Sequence, residues 1–173
     1  MTESDVTVVV PVRNEAEVLP DLLQALHGQT RPGTRTLIVD AGSTDETPQI
    51  VNRLTTEYPE VELINAGAAS PGRARNIGIE AADTDWVLLV DGGMQVGCTL
   101  IENLMNAREE SPNASIIVGS HSCETRPGWR AAAIITTLAP RVNTNGSWAR
   151  FSLVPCLLKR RAWHAVGGIP DWR

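Results

Sequence analysis

A chain of 173 residues that is 42% hydrophobic has enough apolar side chains to bury a core of its own, as one domain. Charged residues make up 20% and leave a formal net charge of −5, which argues against the basic surface that nucleic-acid binding requires. A phosphate ligand is not excluded, since it needs only local cations.

Taken in chain order, the apolar runs alternate with helical periodicity. Val6-Thr7-Val8-Val9-Val10 reads as a buried strand that breaks at Pro11 and runs into Arg13-Asn14-Glu15. Pro20 suits the first turn of a helix with Leu22, Leu23 and Leu26 on one face, ending near Gly28. A second strand, Thr36-Leu37-Ile38-Val39, breaks at Asp40-Ala41-Gly42-Ser43-Thr44-Asp45. Thr47 as N-cap and Pro48 as first helical residue open a helix that turns Ile50, Val51 and Leu54 inward. Val61-Glu62-Leu63-Ile64 is a third strand, followed by a small-residue loop and a helix facing inward with Ala74, Ile77 and Ala81. Trp86-Val87-Leu88-Leu89-Val90 is the fourth strand and stops at Asp91-Gly92-Gly93. A helix with Leu100, Ile101, Leu104 and Met105 then precedes a strand over residues 115–118. This alternation predicts an α/β fold with an open, mostly parallel, doubly wound sheet. In such a sheet ligands sit beyond the carboxyl ends of the strands, so three polar strand ends on one edge describe a site.

After about Ser120 the pattern turns irregular, with Trp129, Trp148, Trp163 and Trp172 in this stretch. We expect residues 1–95 to form a nucleotide-binding half and residues 96–173 the start of an acceptor-side half of one domain. Cys98, Cys123 and Cys156 are widely spaced and form no C-x-x-C pair, which reads as free or buried thiols in a reducing compartment. The polar start of the chain carries no secretory signal, and the apolar stretch over residues 131–139 is too short to cross a bilayer. The expected location is cytoplasmic, including a peripheral place at the inner membrane face.

Five segments resemble one family. Residues 6–15 (VTVVVPVRNE), 37–47 (LIVDAGSTDET), 72–78 (GRARNIG), 87–93 (VLLVDGG) and 159–169 (KRRAWHAVGGI) fall in the order and spacing of the large inverting GT-A glycosyltransferases of family two. Each segment alone is weak; the ordered set is specific. The resemblance implies transfer of a sugar from a nucleoside diphosphate sugar to an acceptor hydroxyl, with inversion. It implies a nucleotide site of Pro11, Arg13, Asn14, Glu15, Asp40, Gly42, Ser43, Arg73, Arg75 and Asn76. Asp91 is the implied ligand for Mg or Mn, which bridges the diphosphate as a Lewis acid. Arginine at a helix start adds charge-assisted bonds to phosphate. The acceptor is left open between saccharide, lipid and protein; nucleic acid is not expected, and a homo-oligomer is allowed.

Three departures from the family pattern stand out. Ala41 replaces the second acid of an Asp-Asp pair, a position that often recognises uracil. Gly93 replaces the last acid of Asp-x-Asp, which weakens metal binding, with Gln95 and His121 the nearest polar substitutes. The acidic pair that supplies the general base should follow Gly167-Gly168-Ile169-Pro170, yet only Asp171, Trp172 and Arg173 remain. The base is therefore expected beyond Arg173, with Asp171 a weak stand-in. The alternative is a nucleotide-sugar-binding module, or a truncated fragment without catalytic activity.

Plainer readings stand beside these. Asp40 and Asp91 also suit turn capping, Ser43-x-x-Glu46 suits a capping box, and Asp45 reads as structural. Arg73 and Arg75 are two residues apart on a helix and cannot share a face, so one should point to solvent. His121 with Cys123 lacks the partners of a metal site. Trp129 and Trp148 suit either an acceptor platform or the core. The first turn lacks the Gly-x-Gly-x-x-Gly of dinucleotide enzymes, and no Walker loop is present.

Overall fold

The computed structural model describes residues 5–119, 141–142, 148–150 and 154–170. Strands β1 (Val6–Val12), β2 (Arg35–Asp40), β3 (Val61–Asn65), β4 (Trp86–Leu89), β5 (Ile116–Val118) and β8 (Cys156–Lys159) form one sheet in the order β3-β2-β1-β4-β8-β5. The short strands β6 (Arg141–Val142) and β7 (Trp148–Arg150) pair with each other. β1 to β4 are mutually parallel, and β8 runs antiparallel between β4 and β5.

Both faces of the sheet are covered, which is why its central strands read as unbroken apolar runs. Successive side chains of β1 point to opposite faces. Val6, Val8, Val10 and Val12 pack with Leu19, Leu22, Leu23 and Leu26 of α1 (Leu19–His27), Val51 of α2 (Thr47–Leu54) and Ile101, Leu104 and Met105 of α4 (Leu100–Glu110). Val9 faces the other layer, with Ala74 and Ile79 of α3 (Pro71–Ala81) and Trp163 of α5 (Arg160–Ala165). The buried stripe of α3 is Ala74, Gly78 and Ile79, whereas Ile77 is half-buried and Ala81 exposed. The stripe is set by close approach: a Cβ on Gly78 would stand 2.3 Å from a Val9 methyl. Buried Gln29 ties two helices together, donating to the Ala25 and Gly97 carbonyls and accepting from the Ile101 N–H.

The chain moves outward from β1 to β2 to β3, then crosses the opposite face through α3 to β4 on the other side of β1. The order reverses between β1 and β4, so their carboxyl ends flank the switch-point crevice where open α/β sheets bind ligands. β1 does not break at Pro11 as the sequence suggested; it continues to Val12, with Pro11 opposite Val39 and Val12 opposite Asp40. The Thr7 N–H and the Val9 carbonyl both bond on the β4 side, to the Thr84 hydroxyl and the Val90 N–H. Strand alternation puts the missing Pro11 donor on that same side, where the ladder has ended at Val9 and Leu89, so no bond to β2 is lost. Pro11 thus lets β1 and β4 part at the crevice.

β8 and α5 were not expected as a strand and a helix. Among the described residues, no helix is long and apolar enough to cross a membrane. Cys156 is buried and Cys98 exposed. Burial pushes the Cys156 thiol up to about 12.

Candidate functional site

The β1 and β2 exits are stitched together side chain to backbone. Asn14 takes a left-handed conformation (φ 58°), which asparagine tolerates better than most residues. Its N–H donates to Ser43 Oγ at 2.9 Å, and its Oδ1 accepts the Thr44 N–H at 2.8 Å. Glu15 N–H donates to Thr47 Oγ1 at 2.9 Å, and Ala16 N–H to Asp45 Oδ2 at 3.2 Å. Asp40 is only 4% exposed, and its carboxylate accepts both the N–H and the hydroxyl of Ser43. Gly42 (φ 83°) lies so close to the 67–68 backbone that a Cβ would stand 3.3 Å from Ala68. Asp40, Ser43 and Asn14 thus form one hydrogen-bonded relay, with Ser43 at its centre, joining two strand ends.

The expected capping box at Ser43 and Glu46 does not form. Ser43 is engaged with Asp40 and Asn14, and N-cap Glu46 makes no side-chain cap bond. Thr47, expected as the N-cap, is the first helical residue. Asp45 does the work instead, accepting the Thr47 N–H at 3.0 Å and its hydroxyl at 2.6 Å. The Thr47 hydroxyl bond, chiefly, holds the Asp45 carboxyl below the usual carboxylate range. Ala41 is buried, with its N–H on the Val12 carbonyl.

Across the crevice, Asp91 projects half-exposed from the β4 exit and pairs with Arg75 of α3 at 2.5 Å. Arg75 is mostly buried, and its Nε is buried with no hydrogen-bond partner among the described residues. Arg73, two positions earlier, is exposed, so the two arginines divide between crevice and surface as their spacing requires. Arg13 and Gln95 are exposed, and Pro11 is half-buried. Gly92 has no room for a side chain: a Cβ would lie 2.9 Å from a Val12 methyl and 3.3 Å from the Pro11 carbonyl. Gly93 has room, its nearest neighbours being the Glu15 carboxylate oxygens at 3.6 and 3.8 Å from an ideal Cβ. Burial, with the charges of Asp45 and Asp91 added, raises the Glu15 carboxyl above its ordinary value.

Asn76, expected beside the nucleotide, is committed elsewhere. Its Oδ1 accepts Trp163 Nε1–H and the Ile169 N–H, both at 2.9 Å, and its Nδ2 donates to the Ile169 carbonyl at 2.8 Å. The reason is local: Gly167 (φ 79°) and Gly168 (φ 94°) reverse the chain after α5 and bring Ile169 back onto α3. A cleft of about 440 Å³ lies there, lined by Arg73, Asn76, Glu80, Trp163, His164 and Gly168 among others; no strand-end residue lines it. His121, Cys123, Trp129 and Asp171 lie outside the described residues, as does the Trp148 side chain.

The profile of Glycosyl transferase family 2 matches residues 7–163. The Escherichia coli glycosyltransferase YibD is 28% identical over 162 residues, covering 92% of this chain and 46% of that protein. Haloferax volcanii glycosyltransferase AglE is 38% identical over 90 residues, 50% of this chain and 30% of its own. Among solved structures, Staphylococcus aureus TarS superposes with TM-score 0.72 at 22% identity, covering 96% of this chain and 50% of that one. The Pyrobaculum calidifontis mannosyltransferase PcManGT, in complex with GDP-Man and Mn2+, gives TM-score 0.72 at 24% identity over 96% of this chain and 47% of its own. The chain thus spans about half the length of these two structures and less of the two relatives. With its GT-A fold, the chain belongs to glycosyl transferase family 2.

Proposed function

We infer that this chain supplies the donor side of an inverting glycosyltransferase, binding a nucleoside diphosphate sugar at the β1/β4 crevice. The observation that carries this reading is the Arg75–Asp91 pair at the topological switch point of a family-2 chain. Arg75 brings to the crevice a guanidinium, a planar cation whose fork suits a diphosphate oxygen. The Asp40–Ser43–Asn14 relay gives the base and ribose a rigid wall, with the exposed Asn14 amide nitrogen free to donate. Arg13, Glu15 and Gly42 flank that wall.

The residues also fit a divalent cation held jointly with substrate. Among the described residues no group of three or more His, Cys, Asp or Glu could hold a metal alone. Mg2+ and Mn2+ are commonly held by one or two carboxylates plus substrate phosphates, and Asp91 with Glu15 nearby provides that number. When bound, the cation supplies Lewis-acid stabilisation of the departing diphosphate. Arg75 orients the Asp91 carboxylate and shares its charge. Inversion needs a base on the acceptor face, a role the resemblance assigns to the chain after Pro170.

A second reading, a nucleotide-sugar-binding module without chemistry, is favoured by Gly93, where the family's second acid is absent. Release of nucleoside diphosphate from a panel of UDP- and GDP-sugars, with Mn2+ and candidate acceptors, separates the two. Transfer supports the enzyme, binding without turnover the module, and neither one sinks both readings.

A further inference from the structure

We propose that Asn76 is a positioning residue for transfer: it locks Gly168–Pro170 onto α3 and so sets where the following chain enters the acceptor side. This rests on the donor-binding reading and adds a role that reading leaves empty. Asn76 grips the Ile169 backbone with both arms of its amide, as a neighbouring strand would, and holds the Trp163 indole with the same oxygen.

A second contact lies one turn earlier on the same face of α3. A Cβ on Gly72 would stand 2.7 Å from the Pro170 carbonyl, so the first turn of the helix is bare where Pro170 crosses it. Gly168 also approaches closely, since a Cβ there would lie 3.3 Å from Asn76 Oδ1. The adjoining residue, Arg75, points instead to Asp91 in the crevice. One rigid helix therefore carries the diphosphate contact and, at the next residue, the anchor for the segment leading to the acceptor side. A displacement of about 1 Å in such a constellation can cost about 100-fold in rate.

The test uses Asn76→Ala and Gly72→Ala in the full-length protein, the second variant lifting Pro170 while keeping the Asn76 amide. Melting temperature and backbone amide exchange in β1 identify folded samples. The expected result is that both variants bind UDP or GDP within about twofold of wild type, keep the donor KM, and lose about 100-fold in kcat. Asn76→Asp keeps both acceptor bonds, loses donation to the Ile169 carbonyl, and should fall between. A purely structural role predicts faster exchange at the Ile169 amide with kcat unchanged, which overturns the proposal. Parallel loss of donor affinity and kcat overturns it too, by returning Asn76 to the nucleotide site. A folded wild-type protein that neither binds nor turns over any donor overturns the functional reading itself, and this proposal with it.

Discussion

Removing the Asp40 carboxylate should cost far more than a turn residue normally does. Its side chain is 4% exposed and accepts two bonds from Ser43, whose oxygen in turn accepts the Asn14 N–H. Hydrogen bonds to a charged group contribute about 1.5–3 kcal/mol each, so Asp40→Ala should lose about 3 kcal/mol, less than twice the single value because half-buried Ser43 can turn to water. Asp40→Asn retains a neutral acceptor worth about 1 kcal/mol and should therefore lose about 2 kcal/mol. Ser43→Ala should cost about 2–3 kcal/mol, since its hydroxyl makes one bond to the carboxylate and accepts a neutral one from Asn14. Because the two residues share the hydroxyl–carboxylate bond, the double mutant should be milder than the sum by about 1–2 kcal/mol. Urea unfolding of the four proteins of the cycle measures this. Additivity within about 0.5 kcal/mol, or an Asp40→Ala protein as stable as wild type, would refute the relay through Ser43 as the device joining the two strand ends.

Gly93→Asp should be accepted by the backbone, since a Cβ there meets only the Glu15 carboxylate at ordinary contact distance. The added charge should cost about 1 kcal/mol without metal, and Mn2+ should raise the melting temperature more than in wild type; equal shifts would contradict this. Glu15→Gln should raise the melting temperature at pH 7. The native Glu15 carboxyl is raised, so the unfolded chain ionises first as pH climbs through the ordinary carboxylate range, and the native state loses stability there. That penalty is absent at lower pH, so melts across the range should show the Gln gain fading towards pH 4, near the ordinary glutamate value of about 4.3. In native protein at pH 8, alkylation should label Cys98 and spare Cys156, whose buried thiol titrates at about 12; mass spectrometry of the peptides decides.

The strands that build the crevice were legible because burial on both faces leaves unbroken apolar runs such as residues 86–90. Their polar ends marked the edge on which the crevice opens, and helical geometry separated Arg73 from Arg75. Less legible was anything set by which strand stops pairing where. Pro11 reads as a break until the β1–β4 ladder is seen to end at Val9, so that its missing donor falls on the open side. β8 is four residues long and lies beside β4, some seventy positions away in sequence; no local period announces such a pairing. Asn76 sits in a motif that points to nucleotide, yet its partners lie 87 and 93 residues away, brought back by two left-handed glycines. A Gly-Gly pair after a short amphipathic run was the available hint of that reversal.

Titration calorimetry with UDP, GDP, CDP, ADP and dTDP in the presence of Mn2+ tests the crevice most directly as a nucleoside diphosphate site. The wild-type chain should bind at least one of them. Arg75→Ala, which removes the charge facing Asp91, should weaken that binding by about 1.5–3 kcal/mol, roughly 10- to 150-fold. A folded chain that binds none of the five, or an Arg75→Ala protein that binds as tightly as wild type, would contradict that reading.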